Sequence, residues 1–184
     1  MKSAPFYTIG HSTHPIPEFV SMLQDGNVTL VIDVRRVPRS RTNPQYNEDT
    51  LPASLAPYGI GYRRIATLGG LRSKNRTVAR DVNAFWENES FHNYADYAMD
   101  ETFHAGLAQL LELGHDQRCA IMCAEAVWWR CHRRIIADYL MAASEEVIHL
   151  MRPGHVEPAR MTSAAIPAGP GVLAYPATEP NTPA

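Results

Sequence analysis

The sequence lacks any apolar run long enough to cross a lipid bilayer. Its longest runs, Val28 to Val34 and Cys119 to Cys123, are far shorter than the roughly 20 residues that a membrane-spanning helix requires. The first residues also lack a basic segment followed by a long apolar stretch. We therefore expect neither membrane insertion nor secretion, no membrane partner, and a cytoplasmic location.

Cysteine is scarce, and so is any excess of charge of one sign. Three cysteines without a secretory signal indicate free thiols in a reducing compartment rather than a disulfide framework. The 17 basic and 19 acidic residues nearly cancel, so the overall field of the molecule does not attract nucleic acid or anionic lipid. Any attraction for anions must therefore be local.

What the chain does contain is enough apolar material for one core, since hydrophobic residues make up 45% of its 184 residues. Apolar β-prone runs alternate with helical patterns along it. The predicted strands are Phe6 to Ile9, Leu30 to Val34, Ile60 to Ile65, Cys119 to Cys123 and Val147 to Leu150. The predicted helices are one from Pro15 to Gly26, one from Leu51 to Tyr58, two between Ser90 and Gly114, and one from Trp129 to Ala143. This alternation predicts a single α/β domain with a mostly parallel sheet of about five strands and helices on both faces.

The chain changes character after Arg152. Seven of its 14 prolines lie between Pro153 and Pro183, among alanine, glycine and threonine. No helical or strand periodicity is visible there. We therefore predict an α/β domain over residues 1–152 and a proline-rich tail over residues 153–184 that either wraps the domain or is disordered.

Unusual polar residues follow four of the predicted strands. Ligands of parallel sheets bind at the carboxyl ends of the strands, where loops and helix N-termini gather. Here those positions hold histidines, arginines, cysteines and glycines. We expect Gly10, Gly69 and Gly70 to allow turns there, and Asp33 to be a structural partner of backbone or of Arg35.

The stretch from Cys123 to Arg133 places two thiols, a histidine and two arginines around one strand-to-helix connection, and a third arginine, Arg134, follows it directly. A thiol near a helix N-terminus and guanidinium groups ionises more easily than a free cysteine. Free cysteines are also common as buried packing residues, which is the interpretation we favour for Cys119. The candidate catalytic residues are Cys123, Cys131, His132, Glu125 and His11.

Arginine is strongly preferred over lysine in the basic clusters. Its planar fork matches phosphate, sulfate or carboxylate with two parallel hydrogen bonds, although most charge runs are simply solvated surface. We therefore expect a small anionic ligand. The candidate anion-binding residues are Ser12, Arg35, Arg39, Arg41 and Arg133.

Several motifs, in this order along residues 6 to 150, together resemble the family of the domain of unknown function number 488. They are Ile9 to Ser12, Asp33 to Ser40, Leu68 to Gly70, Tyr94 to Met99, Met122 to Glu125, Cys131 to Arg133 and His149. The resemblance implies a bacterial- or archaeal-type α/β domain and no particular activity. A weaker resemblance joins Ile32 to Arg35 and Cys123 to rhodanese-like domains, although the short glycine-containing loop that follows the rhodanese cysteine is replaced here by Glu125 and two tryptophans.

Three functions remain open. The first is a thiol-dependent enzyme acting on an anionic small molecule, with Cys123 or Cys131 as nucleophile and His132 or His11 as base. The second is a nucleotide or nucleic-acid binding module in which Trp128 or Tyr46 stacks on a base. The third is a metal site, with zinc held by Cys123, Cys131, His132 and His11, although their spacing fits no established zinc pattern. The sequence requires no cofactor and does not specify the substrate or the oligomeric state.

Overall fold

The structure, a computed structural model, describes residues 3–179 and is organised around a six-stranded sheet. The strands are β1 (Phe6–Gly10), β2 (Leu30–Asp33), β3 (Gly61–Arg64), β4 (Cys119–Cys123), β5 (Val147–Arg152) and β6 (His155–Pro158). Their spatial order is β3-β2-β4-β1-β5-β6. The first five are parallel, and β6 runs antiparallel to β5. The predicted α/β class and mostly parallel sheet are confirmed.

Helices cover both faces of this sheet. They are α1 (Ile16–Asp25), α2 (Leu51–Leu55), α3 (Glu89–Tyr97), α4 (Glu101–Asp116) and α5 (Arg133–Ala142). Apolar side chains of α1 and α2 pack with Ile9, Val31 and Met122 on one face. Those of α3, α4 and α5 pack with Ile32 and Ile121 on the other. Alternate residues of each central strand thus point into two separate apolar layers, as expected for strands covered on both sides.

The helix that we predicted over Trp129 to Ala143 begins later, at Arg133. Residues Trp128–Arg130 form a short 3-10 turn, and Cys131 is extended with φ −123° and ψ 146°. The Cys131 Sγ accepts the backbone N–H of Arg133 at 3.5 Å, which satisfies one of the N–H groups that a helix leaves unpaired at its start. The Cys131 thiol therefore lies just before the start of α5 rather than within the helix.

The proline-rich segment lies against the domain over the residues that the structure describes. It supplies β6 and a hairpin of β7 (Ile166–Gly169) and β8 (Val172–Ala174). Tyr175 is fully buried, its N–H donates to Asn83 Oδ1 at 3.0 Å and its hydroxyl donates to Asp138 Oδ2 at 3.0 Å. These contacts fix the segment to α5 and to the loop before α3. Residues 180–184 of the predicted tail lie outside the described residues.

We expect Tyr175→Phe to lower the free energy of unfolding by about 1.5 kcal/mol, because it removes a buried hydrogen bond to a carboxyl group and keeps the ring packing. Urea unfolding followed by tryptophan fluorescence measures this difference. Tyr58→Phe is the matched control, since the Tyr58 side chain is about half exposed and should change stability little. Equal stability of the Tyr175→Phe variant and the original protein would contradict the anchoring role.

No helix within residues 3–179 combines the length and apolar character needed to span a membrane.

Candidate functional site

The candidate site lies where the loops after β1 and β4 diverge. The helix that follows β1 covers one face of the sheet, and the helix that follows β4 covers the other. The two loops stay joined at their start, since the N–H of His11 donates to the Cys123 carbonyl at 2.9 Å. The end of β2 reaches the same point, where the N–H of Val34 donates to the Met122 carbonyl at 3.1 Å. Such a switch in direction opens a crevice at the carboxyl edge of a parallel sheet.

A cavity of about 360 Å³ lies at the same carboxyl edge of the sheet, over the ends of β2, β3 and β4. Its floor is formed by the end of β4 and its walls by loops from β2, β3 and β4 and by α3. The lining residues are Arg35, Arg36, Val37, Gly70, Leu71, Ser90, Phe91, Tyr94, Cys123, Ala124, Glu125, Arg130, Cys131 and His132. Three arginines against one glutamate make the cavity cationic, and a volume of this size suits a small molecule.

Cys123, Cys131 and His132 form a compact cluster on this cavity, which we call the thiol–histidine cluster. The two sulfur atoms and one imidazole nitrogen all lie within 4.8 Å of one another. The Cys131 Sγ is 3.6 Å from His132 Nδ1 and accepts a hydrogen bond from Arg133 Nε at 3.2 Å. Cys123 is partly exposed, whereas Cys131 is buried beneath it.

The two thiols of the cluster ionise in opposite ways. A hydrogen bond to Cys131, together with burial, raises the pKa of Cys123 well above that of a free thiol. Burial also opposes ionisation of Cys131, but the Cys123 hydrogen bond and the Arg133 charge outweigh it, so the pKa of Cys131 lies well below its usual value. These directions favour ionisation of Cys131 over that of Cys123.

The hydrogen bonds of His132 determine which of its nitrogens carries a proton. Nε2 lies 2.9 Å from the Val34 carbonyl, which only accepts, so Nε2 is protonated. Nδ1 is then free to face Cys131, and the ring is held at 4.9 Å from that of Tyr94. Among the residues described, His132 is thus placed to exchange a proton with Cys131.

His11 is bound differently. Its Nδ1 donates to the Ser12 carbonyl at 2.9 Å, and its Nε2 accepts from Arg35 Nη1 at 3.3 Å. Burial, aided by the Arg35 charge, lowers the pKa of His11 to about 4. With both nitrogens engaged, His11 is better suited to hold Arg35 in position than to act as a base.

Asp33 and Arg35 form a buried ion pair at the end of β2. The guanidinium donates to both carboxylate oxygens, from Nε at 2.9 Å and from Nη2 at 2.7 Å. The Tyr62 hydroxyl also donates to Asp33, and the Tyr46 carbonyl accepts from Arg35 Nη2. Asp33 therefore fixes the position of Arg35, which lines the cavity.

A second cavity of about 330 Å³ adjoins the first and shares Arg35, Val37 and Ala124 with it. Hydroxyl and amide groups line it along with two arginines. Its remaining lining residues are His11, Ser12, Thr13, Arg39, Ser40, Thr42 and Asn43. Because they share these residues, the two cavities lie side by side with Arg35 as the cation common to both linings, and we call them together the recess.

The five candidate anion-binding residues are not all brought to this recess. Arg35 lies in both linings, and Ser12 and Arg39 lie in the second. Arg39 is exposed and pairs with Asp49 at 3.3 Å. Arg41 is exposed outside both linings, and Arg133 is buried behind Cys131 with a hydrogen bond to the Glu125 carbonyl. Arg133 is therefore a partner of the thiolate rather than a direct ligand contact.

Two of the predicted turn glycines are required by close approach. A Cβ at Gly10 would lie 1.9 Å from the Glu125 carbonyl oxygen, which is the oxygen that binds Arg133. A Cβ at Gly70 would lie 2.9 Å from His132 Nδ1. Any larger side chain at either position would displace the thiol–histidine cluster. The Gly69 backbone is extended, and it follows the 3-10 turn after β3.

Two lining residues adopt backbone conformations that L-residues rarely take. Ser12 has φ 44° and Leu71 has φ 55°. Such strain persists only where surrounding contacts impose it, and it concentrates at functional sites. The Leu71 carbonyl accepts a hydrogen bond from Arg36 Nη1 at 2.7 Å. This bond joins the strained loop to an arginine of the cavity lining.

Sequence reasoning missed several lining residues. Arg36 and Arg130 belong to the arginine clusters of the sequence but were not among the candidate anion-binding residues. Phe91 and Tyr94 belonged to an apolar helical stripe. That pattern does not show whether a side chain packs in the core or lines a cavity. Buried Tyr94 donates its hydroxyl to the Leu68 carbonyl at 2.7 Å, and burial raises its pKa well above the usual value.

The two aromatic residues that were expected to stack on a base are already engaged. Tyr46 is fully buried with its ring 4.2 Å from that of His11. Trp128 stacks on His149 at 4.6 Å. Tyr46 therefore offers no exposed ring to a base. The binding of a nucleotide stays a prediction.

One comparison with known proteins gives a match. The family model described as "Domain of unknown function DUF488" matches residues 15–140, which include the loops that carry Arg35, the thiol–histidine cluster and α3. No curated protein and no solved structure matches the chain. The weaker resemblance to rhodanese-like domains stays a prediction.

Proposed function

The chain belongs to the family of the domain of unknown function DUF488, and we propose that it is a thiol-dependent enzyme acting on a small anionic molecule, with Cys131 as nucleophile. The observation that carries the proposal is the environment of Cys131 Sγ. It accepts hydrogen bonds from the Arg133 Nε and N–H groups and faces His132 Nδ1. Such an arrangement stabilises a thiolate, which is the reactive form of cysteine.

The reaction begins with the proton of Cys131 held by His132 Nδ1. The thiolate attacks an electrophilic atom of the substrate and forms a bond to it through Sγ, and the leaving group departs with its electron pair. The proton on His132 passes to that leaving group, which completes the transfer. Val34 holds the imidazole in the orientation that this exchange needs.

The anionic part of the substrate would be bound by the arginines of the recess. Arg36 and Arg130 are exposed at its wall, and Arg35 lies at its base beside the second cavity. Glu125 is exposed on the same lining and is the remaining candidate acid or base. Exposed Val37 and Leu71 give the recess an apolar rim that would contact the uncharged part of the substrate.

Alkylation with two reagents of similar size tests both halves of the proposal. Free thiolates react faster with neutral iodoacetamide than with iodoacetate; we expect Cys131 to reverse this order because the arginines attract the carboxylate. We also expect its rate to fall less steeply between pH 8 and pH 6 than that of a free thiol, which loses about tenfold per pH unit. Peptide mass spectrometry at each time point measures modification of Cys131.

The control is Cys119→Ala, which removes a thiol buried at the start of β4 whose pKa burial raises to about 11. This variant should keep the full reactivity of the protein. Arg36→Gln and Arg130→Gln should reduce the iodoacetate rate more than the iodoacetamide rate. A Cys131 that alkylates no faster than free cysteine at pH 7 would overturn the nucleophile, and an unchanged reagent preference would overturn the anionic substrate.

A specific observation favours a second function, the binding of a zinc-like metal ion. The three donor atoms of the thiol–histidine cluster lie within 4.8 Å of one another, and thiolate and imidazole are donors that zinc prefers. The bond from His132 Nε2 to the Val34 carbonyl is the outer contact that usually orients a metal-binding histidine. His11, whose nitrogens are both engaged, lies outside this cluster.

Metal analysis of untagged protein distinguishes the two functions. One equivalent of bound zinc, lost in Cys123→Ala and accompanied by protection of Cys131 from alkylation, would support the metal site. Full alkylation in the presence of excess zinc would exclude it and leave the nucleophile in place.

A further inference from the structure

We propose that Cys123 and Cys131 act as a dithiol pair that reduces small anionic disulfides, with Cys131 attacking the substrate and Cys123 releasing the product. This inference rests on the proposed function, because it uses the same nucleophile, and it adds a substrate class and a role for the second thiol. The juxtaposition that carries it is two free thiols at one cationic cavity, with sulfur atoms within 4.8 Å.

The positions of the two sulfur atoms give them different tasks. Cys131 is buried and held by Arg133, whereas Cys123 ends β4 on the cavity lining and is partly exposed. A substrate sulfur bound to Cys131 would therefore lie beside Cys123, within reach of a second exchange. The two sulfur atoms lie within 4.8 Å of each other, so Cys123 is placed to attack a disulfide formed at Cys131.

The connection between the two cysteines allows them to approach further. Cys123 is the last residue of a strand held by β1 and β2, but residues 124–132 form an irregular loop with one short 3-10 turn. Cys131 leads that loop into α5 in an extended conformation. Closing the sulfur atoms from within 4.8 Å to bonding distance, about 2.05 Å, then involves movement of the loop rather than of the strand.

The electrons and protons balance in two steps. In the first, the Cys131 thiolate attacks one sulfur of the substrate, the substrate disulfide breaks, and one half leaves as a thiolate. In the second, that thiolate takes the Cys123 proton, and Cys123 attacks Cys131 Sγ. The second half then leaves as a thiolate and takes the proton that His132 Nδ1 held. The substrate disulfide is reduced to two thiols, and the Cys123–Cys131 pair is oxidised to a disulfide.

The cavity argues for an anionic disulfide. Arg35, Arg36 and Arg130 line it together with only one acidic residue, Glu125. A carboxylate on the substrate would find two-point hydrogen bonds there, whereas an ammonium group would meet like charge. The volume of about 360 Å³ restricts the substrate to a small molecule rather than a protein loop.

Two disulfides of similar size and opposite charge provide the test. Reduced full-length Cys119→Ala protein is mixed with dithiodipropionate, which is anionic, or with cystamine, which is cationic. We expect dithiodipropionate to produce an intramolecular Cys123–Cys131 disulfide, seen as a loss of two hydrogen masses, at least about tenfold faster than cystamine. Cys119 is absent from this variant, so the cross-linked peptides assign the bond directly.

Cys123→Ala in the same background isolates the first step. We expect this variant to accumulate a stable mixed disulfide at Cys131 that the parent protein does not retain. Retention of the mixed disulfide by the parent would overturn the role of Cys123, and equal rates with cystamine would overturn the anionic class. If dithiodipropionate leaves Cys131 unmodified while iodoacetate alkylates it, the disulfide reaction is wrong and the proposed nucleophile stands. If neither reagent modifies Cys131, both proposals fail.

Discussion

Asp33→Ala is expected to lower the free energy of unfolding by about 3–5 kcal/mol, since removing one partner of a buried ion pair leaves the other charge uncompensated. Asp33 is fully buried, and Arg35 is 4% exposed. The variant would also free Arg35 from its two-point contact, so the shared cation of the recess would lose its orientation. Urea unfolding at pH 7 measures the stability.

Tyr62→Phe is the matched control for this prediction. It removes the hydroxyl that donates to Asp33 but leaves the ion pair intact. We expect a loss of about 1 kcal/mol from that single hydrogen bond. If Asp33→Ala costs no more than Tyr62→Phe, the ion pair does not have the importance that its burial implies.

Acidification from pH 7 to pH 5 is expected to destabilise the protein by about 2 kcal/mol for each of two histidines, His11 and His149. Burial lowers the pKa of both to about 4, aided by Arg35 at His11 and by Arg133 at His149. Between pH 6.5 and pH 4 these two histidines therefore bind more protons in the unfolded chain than in the folded protein. Stability is complete above pH 6.5 and falls as the pH decreases toward 4.

His149→Gln isolates one of these contributions. The amide can still hydrogen-bond to the Thr8 hydroxyl, which lies 2.7 Å from His149 Nδ1, but it does not titrate. Chemical unfolding at a series of pH values should show a shallower decrease for this variant than for the original protein. Parallel curves for the two proteins would contradict burial of a neutral imidazole at position 149.

Much of the fold was predictable because local patterns and tertiary packing agree. The Leu30 to Val34 run is apolar at every position except Asp33, and it became a strand buried on both faces. The first strand and first helix were bounded by glycine and proline, and both appear near the predicted residues. The α5 start was predicted too early because helical spacing alone does not show that Cys131 is extended and caps the helix with its sulfur.

The candidate site was predictable in its location but only partly in its membership. The carboxyl-edge rule brought Cys123, Cys131, His132 and Arg35 to one place, since each follows a parallel strand. It did not reveal that Arg133 turns inward. That orientation depends on a hydrogen bond to the Glu125 carbonyl, which the sequence pattern does not show. The sequence also did not show that α3 lines the cavity, because this depends on how that helix packs in the folded protein.

Strand β3 ends the sheet on the side opposite β6, and its residues include Arg63 and Arg64. If a second copy of the chain added its own β3 antiparallel to this strand, cations of one molecule would face cations of the other. Repulsion of that kind discourages continuous sheets from growing between molecules. The two arginines of this edge strand thus disfavour pairing with a second copy in the register that brings them together.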